Sequence, residues 1–157
     1  MINTSLCYIK CNNKVLMLHR TKKKDDPNEG KWIGIGGKLE ENESPEECML
    51  REVFEETGIV PVSWSYRGIV TFMSDKWEGE YMHLFTAIAD NENVSDCTEG
   101  ELRWIEEDKV LSLNMWEGDR IFLDLISKGE EFFSLKLIYE GDKLINAFVN
   151  GELICDL

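Results

Sequence analysis

The sequence predicts an α+β protein, a series of short strands interrupted by two helices, in one domain over residues 1–157. Three observations carry this. Apolar runs of strand length, bounded by turn residues, recur along the chain. The segment "SPEECMLREVFEETGI" (44–59) has helix start and stop signals at its two ends. A second segment, "MWEGDRIFLDLISKG" (115–129), places Ile121, Phe122, Leu125 and Ile126 at helical spacing.

In order, residues 4–10 and 14–20 read as strands joined at Asn12-Asn13, a pair that tolerates a tight hairpin turn. "TKKKDDPNEGK" (21–31) is a polar loop, and "WIGIGGK" (32–38) is a short extended stretch ending in glycines. The first helix follows: Ser44 suits the N-cap, Pro45 the first helical position, Glu47 a capping box, and Gly58 the left-handed residue past the end. Segments 64–73 and 81–89 read as strands around a loop holding Trp77, and 102–106 as a short strand. After the second helix, "FFSLKLIY", "KLINAFV" and "ELICD" read as strands split by turns at "EGD" and "NG".

Charge and composition narrow the function. A net charge of −14 opposes direct binding to a nucleic-acid backbone, yet permits one small anionic ligand if metal ions and local lysines neutralise it. No apolar run approaches the ~20 residues that span a bilayer, and no signal peptide is seen, so no membrane partner is expected. Five scattered cysteines without metal-ligand spacing suggest free thiols and a cytoplasmic location. A monomer is expected, with an oligomer still open.

The informative residues lie on the first helix. Leu50, Val53, Phe54 and Thr57 fall on one side, expected to pack on the sheet; Glu52, Glu55 and Glu56 fall on the other. Carboxylates at that spacing repel and cost stability. Alone they fit either a solvated acidic face or a site for a hard cation such as Mg²⁺, Mn²⁺ or Ca²⁺. The residues around them do more. Gly37, five residues, Glu43, seven residues, Arg51-Glu52-Val53, one residue, Glu55-Glu56, one residue and Gly58-Ile59 match at every specified position the signature of the Nudix hydrolases, GX5EX7REUXEEXGU.

The resemblance implies an α/β/α sandwich around a mixed sheet and hydrolysis of a nucleoside diphosphate linked to another group. It implies Glu52, Glu55 and Glu56 as ligands of Mg²⁺, with Mn²⁺ as a substitute. The Gly36 carbonyl is a further candidate ligand. Gly37 and Gly58 serve the shape of the box, and Glu43 and Arg51 are expected to pair and orient its loop. In relatives a glutamate on the loop before Trp104 reaches the metals. Glu99 occupies that position in "CTEGELRW" and is the candidate metal ligand or general base, with Glu101 and the box glutamates as competitors. Lys38, Lys23 and Arg20 are candidate phosphate contacts.

"GKWIGIGGKLEENES", "GIVTF" and "NMWEGDRIFLDLI" further resemble the MutT-type 8-oxo-dGTP diphosphatases, particularly bacterial members of that branch. Those enzymes cleave oxidised purine nucleoside triphosphates to monophosphate and pyrophosphate, a nucleotide-pool sanitation linked to DNA repair. The resemblance places Trp116 and Asp119 against the base, with Phe72 and either Tyr81 or Met82 as the opposite wall. Two positions depart from the mammalian-type pocket: Ile33 stands where an asparagine bonds the base, and Gly118 replaces a second acid. Rival readings are a pyrophosphatase for another nucleoside diphosphate derivative such as ADP-ribose, a non-catalytic nucleotide-binding module, and an acidic Ca²⁺-binding protein. His19 and His83 read as strand residues without a catalytic part.

Overall fold

The computed structural model describes residues 1–21 and 24–156. Ten strands follow the chain: β1 (Ile2–Cys11), β2 (Lys14–Arg20), β3 (Trp32–Ile33), β4 (Ile35–Lys38), β5 (Ser63–Ser74), β6 (Glu80–Ile88), β7 (Gly100–Glu106), β8 (Phe133–Glu140), β9 (Lys143–Val149) and β10 (Glu152–Asp156). Helix α1 (Pro45–Thr57) lies between β4 and β5, and α2 (Glu117–Ser127) between β7 and β8, after a 3₁₀ turn over Glu107–Ser112. The sheet order is β10-β9-β8-β5-β6-β1-β2-β3, with β4 added to β1 and β7 to β2. Pairs β1–β6 and β5–β8 are parallel and the rest antiparallel, so the sheet is mixed as expected.

Local signals set several of these elements. Asn12 and Asn13 both take positive φ (51° and 62°), the requirement of a type I′ hairpin turn whose twist matches its strands. Asn150-Gly151 repeats the device between β9 and β10. The Ser44 hydroxyl accepts from the Glu47 amide while the Glu47 carboxylate accepts from the Ser44 amide, both at 3.1 Å, so the capping box is complete. Gly58 ends the helix at φ 76°. Helix α2 starts at Glu117, inside the 115–129 segment, with Trp116 as N-cap and its first turn closed by Asp119 N–H donating to the Trp116 carbonyl.

The sheet is apolar on both faces. On the α2 side Tyr8, Met17, Val70, Leu84, Leu135 and Leu137 cluster with Phe122 of the helix; on the α1 side Cys7, Ile9, Leu16, Ile35 and Phe85 cluster with Met49 and Val53 of the helix. One expectation fails here. Phe54 is 58% exposed, and Cys48 and Met49 are buried instead. Helix α1 rests on β1 and β4, which centres its buried stripe on Val53 and Met49; Phe54, ~100° round from Val53, turns outward. The described cysteines Cys7, Cys11, Cys48 and Cys97 are buried and unbridged. No helix among the described residues is long and apolar enough to cross a membrane.

Candidate functional site

The end of β4 and the outer flank of α1 build the first part of the site. Arg51 is its organiser. Its Nε and Nη2 donate to the two oxygens of Glu43 at 2.6 and 2.9 Å, a bidentate pair, and Nη2 also reaches the Lys38 carbonyl at 3.1 Å. Arg51 Nη1 reaches one oxygen of Glu52 at 2.7 Å and one of Glu55 at 3.3 Å. These contacts hold the Glu43 carboxyl down at about 2. The glycines serve close packing: a Cβ on Gly37 would lie 2.5 Å from the Glu52 carboxyl carbon, and one on Gly36 would lie 1.9 Å from the Ser5 carbonyl oxygen of β1. Gly37 therefore lets a box carboxylate rest against the β4 backbone.

Glu56 turns the other way, toward the loop before β7. Burial, then a hydrogen bond and charge from Glu99, push its carboxyl up to about 9. The Glu56 Oε2 atom is buried without a hydrogen-bond partner. Glu52 is also raised, chiefly by burial. Glu99 Oε2 accepts from Arg20 Nη1 at 3.0 Å, and Arg20 Nε donates to Asp26 at 2.8 Å. Glu101 instead pairs with Arg103 on the surface at 2.7 Å. Among the described residues no three acidic, histidine or cysteine side chains converge on one point: Arg51 draws Glu52 and Glu55 one way, and Glu99 draws Glu56 the other.

A cavity of about 420 Å³ opens beside this strip. Arg20, Gly36, Gly37 and Lys38 line one end; Phe72, Met82, Trp116, Asp119 and Tyr139 line the other, and Ile33 adds an apolar wall. Met82 faces the cavity on the α2 side of β6, whereas Tyr81, on the opposite face, is 41% exposed. Trp116 is both lining and packed: its Nε1 donates to Asn28 Oδ1 at 2.8 Å, and its ring meets Tyr139 edge-on at a centroid distance of 5.1 Å. Asp119 is buried in this apolar end, and burial pushes its carboxyl up to about 7 against the pull of Arg120 and Lys31. Gly118 has no room for a side chain here, since a Cβ would lie 2.3 Å from Leu137 Cδ1 and 2.8 Å from the Tyr139 hydroxyl. Lys38 is exposed at the cavity edge, and Lys23 lies outside the described residues.

Three polar residues of the site were not singled out by their sequence context. Asp26 and Asn28 sit in a loop with no motif, and their roles depend on Arg20 and Trp116 meeting them in space. Glu80 had a signal: period-two alternation along β6 puts it on the face of Met82 and Leu84, an acid on an apolar side.

The NUDIX domain family model matches residues 2–126. The chain is 35% identical over 130 residues to an uncharacterised Nudix hydrolase, YvcI, of Bacillus subtilis, covering 79% of this chain and 78% of that one. It is 30% identical over 105 residues to the oxidized purine nucleoside triphosphate hydrolase of Danio rerio (66% and 67% covered) and 38% identical over 148 residues to the ADP-ribose pyrophosphatase of Methanocaldococcus jannaschii (92% and 70%). Among solved structures, the MutT protein of Bacillus halodurans superposes with a TM-score of 0.84 at 25% identity, covering 97% of this chain and 99% of that one.

Proposed function

The chain belongs to the Nudix family of hydrolases, in a MutT-like branch, and we propose that it hydrolyses oxidised purine nucleoside triphosphates, 8-oxo-dGTP foremost, to the monophosphate and pyrophosphate. The observation that carries this reading is the single cavity that joins Trp116 and Asp119 at one end to Gly37 and Lys38, beside the acidic strip, at the other. Its apolar end offers an indole face for stacking and a carboxyl for a purine edge. With its proton held to about 7, Asp119 presents both a donor and an acceptor near neutral pH.

The strip fits a hard divalent cation, Mg²⁺ with Mn²⁺ as substitute. Its donors are all carboxylate oxygens, the Glu56 Oε2 atom is buried without a partner, and Arg51 engages only one oxygen each of Glu52 and Glu55. Glu52, Glu55 and Glu56 are the proposed ligands, with Glu99 and the Gly36 carbonyl as further donors. When bound, such a cation neutralises phosphate charge and acidifies water. Glu99 takes the proton of the attacking water, water adds to phosphorus, and pyrophosphate leaves. Arg20 holds Glu99 in place for this, and Arg51 and Glu43 hold the loop against the helix.

The test is product identity with 8-oxo-dGTP and Mg²⁺. Monophosphate plus pyrophosphate is expected; diphosphate plus orthophosphate would refute the proposal. A second reading, hydrolysis of ADP-ribose, draws on the similarity to the archaeal ADP-ribose pyrophosphatase. A non-catalytic module is disfavoured because all three strip glutamates are present.

A further inference from the structure

We infer that Glu80 forms a subsite for the sugar hydroxyls of the nucleotide, so that the cavity recognises the furanose as well as the base. This rests on the reading of the cavity as a nucleoside triphosphate site.

Glu80 opens β6 and lines the cavity. The strand register locates it. Phe72 of β5 pairs with Glu80 on one side and Ile2 of β1 on the other. One step further along the same face, Met82 pairs with Thr4, and Thr4 pairs with Lys38 of β4. Glu80 therefore shares its row with Phe72 of the aromatic end and lies one row from Thr4 and Lys38. Electrostatics give the same position. The charge of Glu80 raises Asp119, and the charge of Lys38 acts on Glu80, so the carboxyl is within reach of both ends. A nucleotide with its base against Trp116 and its phosphates at Gly37 and Lys38 must pass its sugar between them.

The chemistry of Glu80 selects the sugar. A carboxylate repels phosphate oxygens, which excludes the phosphate end. It accepts hydrogen bonds from hydroxyls, and recognition of ribose hydroxyls by an acid is a recurrent use of this side chain. Burial raises the Glu80 carboxyl, Thr4 and Lys38 beside it oppose that, and no ion pair joins Glu80 to any described cation. A partly buried acid kept for structure alone would be expected to carry such a pair.

The experiment is a cycle between residue and sugar: KM and kcat for GTP, dGTP and 2′,3′-dideoxy-GTP, with the wild type and Glu80→Gln, and a melting curve for each protein. The wild type should show a KM about tenfold higher for the dideoxy nucleotide than for dGTP, the loss expected for one charge-assisted hydrogen bond, with kcat little changed. Glu80→Gln should raise KM about tenfold for GTP and dGTP and leave the dideoxy nucleotide within about twofold. Equal changes across all three nucleotides would overturn the inference and make Glu80 a wall residue. If Glu80→Gln fails to fold, the wild-type series decides, and equal KM values for dGTP and the dideoxy form overturn the inference. No turnover of any of the three or of 8-oxo-dGTP would instead overturn the triphosphate reading, and the sugar subsite with it.

Discussion

The acidic strip of α1 and the cavity beside it both contain buried carboxyls with raised pKa, but for different reasons. Glu56 is raised by burial and by a second acid, Glu99. Asp119 is raised by burial in apolar surroundings, opposed by Arg120 and Lys31. The strip is a set of repelling oxygens, which the proposed cation would neutralise. The cavity is an apolar socket that keeps one carboxyl protonated. The contrast separates two tasks: the strip supplies chemistry common to any phosphoric anhydride, and the cavity chooses what is brought to it.

If that division is right, variants should sort by kinetic signature. The largest effect belongs to the strip. Glu56→Gln should lower kcat by ~10²-fold or more for every nucleotide tested, because a ligand is lost where transition-state charge is neutralised; turnover near wild type would return Glu56 to the acidic surface. The same variant should melt higher than wild type without metal, since it deletes a buried group that must otherwise hold a proton. Next, Trp116→Ala should raise KM for purine nucleotides about tenfold with kcat little changed. An unchanged KM would make the indole a packing residue of Phe72 and Tyr139 alone.

A smaller effect is one of pH. Folded Asp119 keeps its proton up to about 7, while the unfolded group releases it near 3.8. The folded state then binds more protons through that window, so this group's contribution to stability falls as pH rises from about 4 to about 7. Asp119→Asn lacks that loss, and the stability difference from wild type, measured by denaturant titration at several pH values, should grow across the window and level off above it. A constant difference would mean that Asp119 is ionised throughout. The smallest change is expected at Glu101, which is paired with Arg103 at the surface: Glu101→Gln should keep kcat within about twofold, while Glu99→Gln lowers it.

The two regions also differ in how far they can be read from sequence. The strip, its caps and its Glu43–Arg51 pair lie between residues 36 and 58, where helical geometry and capping rules act over a few positions, and hairpins at Asn12-Asn13 and Asn150-Gly151 follow from equally local chemistry. Phe54 marks the limit within the helix. Its type suggests burial, but the seating of α1 on β1 and β4 decides its exposure. The cavity gathers groups from two loops, seven strands and the start of α2. Trp116, Asp119, Phe72 and Met82 were reached through resemblance, whereas Asn28 and Tyr139 acquire their roles only from tertiary contact. Arg20, expected at phosphate, is engaged by Asp26 and Glu99, an arrangement that no spacing along the chain encodes.

The most direct test of the division between strip and cavity is the ratio of kcat/KM for 8-oxo-dGTP to that for ADP-ribose, measured on the same protein with Mg²⁺. A cavity fitted to an oxidised purine triphosphate predicts a ratio of ~10² or more, since the contacts of Trp116 and Asp119 with the oxidised base are then realised only in that substrate. A ratio below one would contradict it, leaving the strip's chemistry in place and assigning the cavity to a different nucleoside diphosphate derivative.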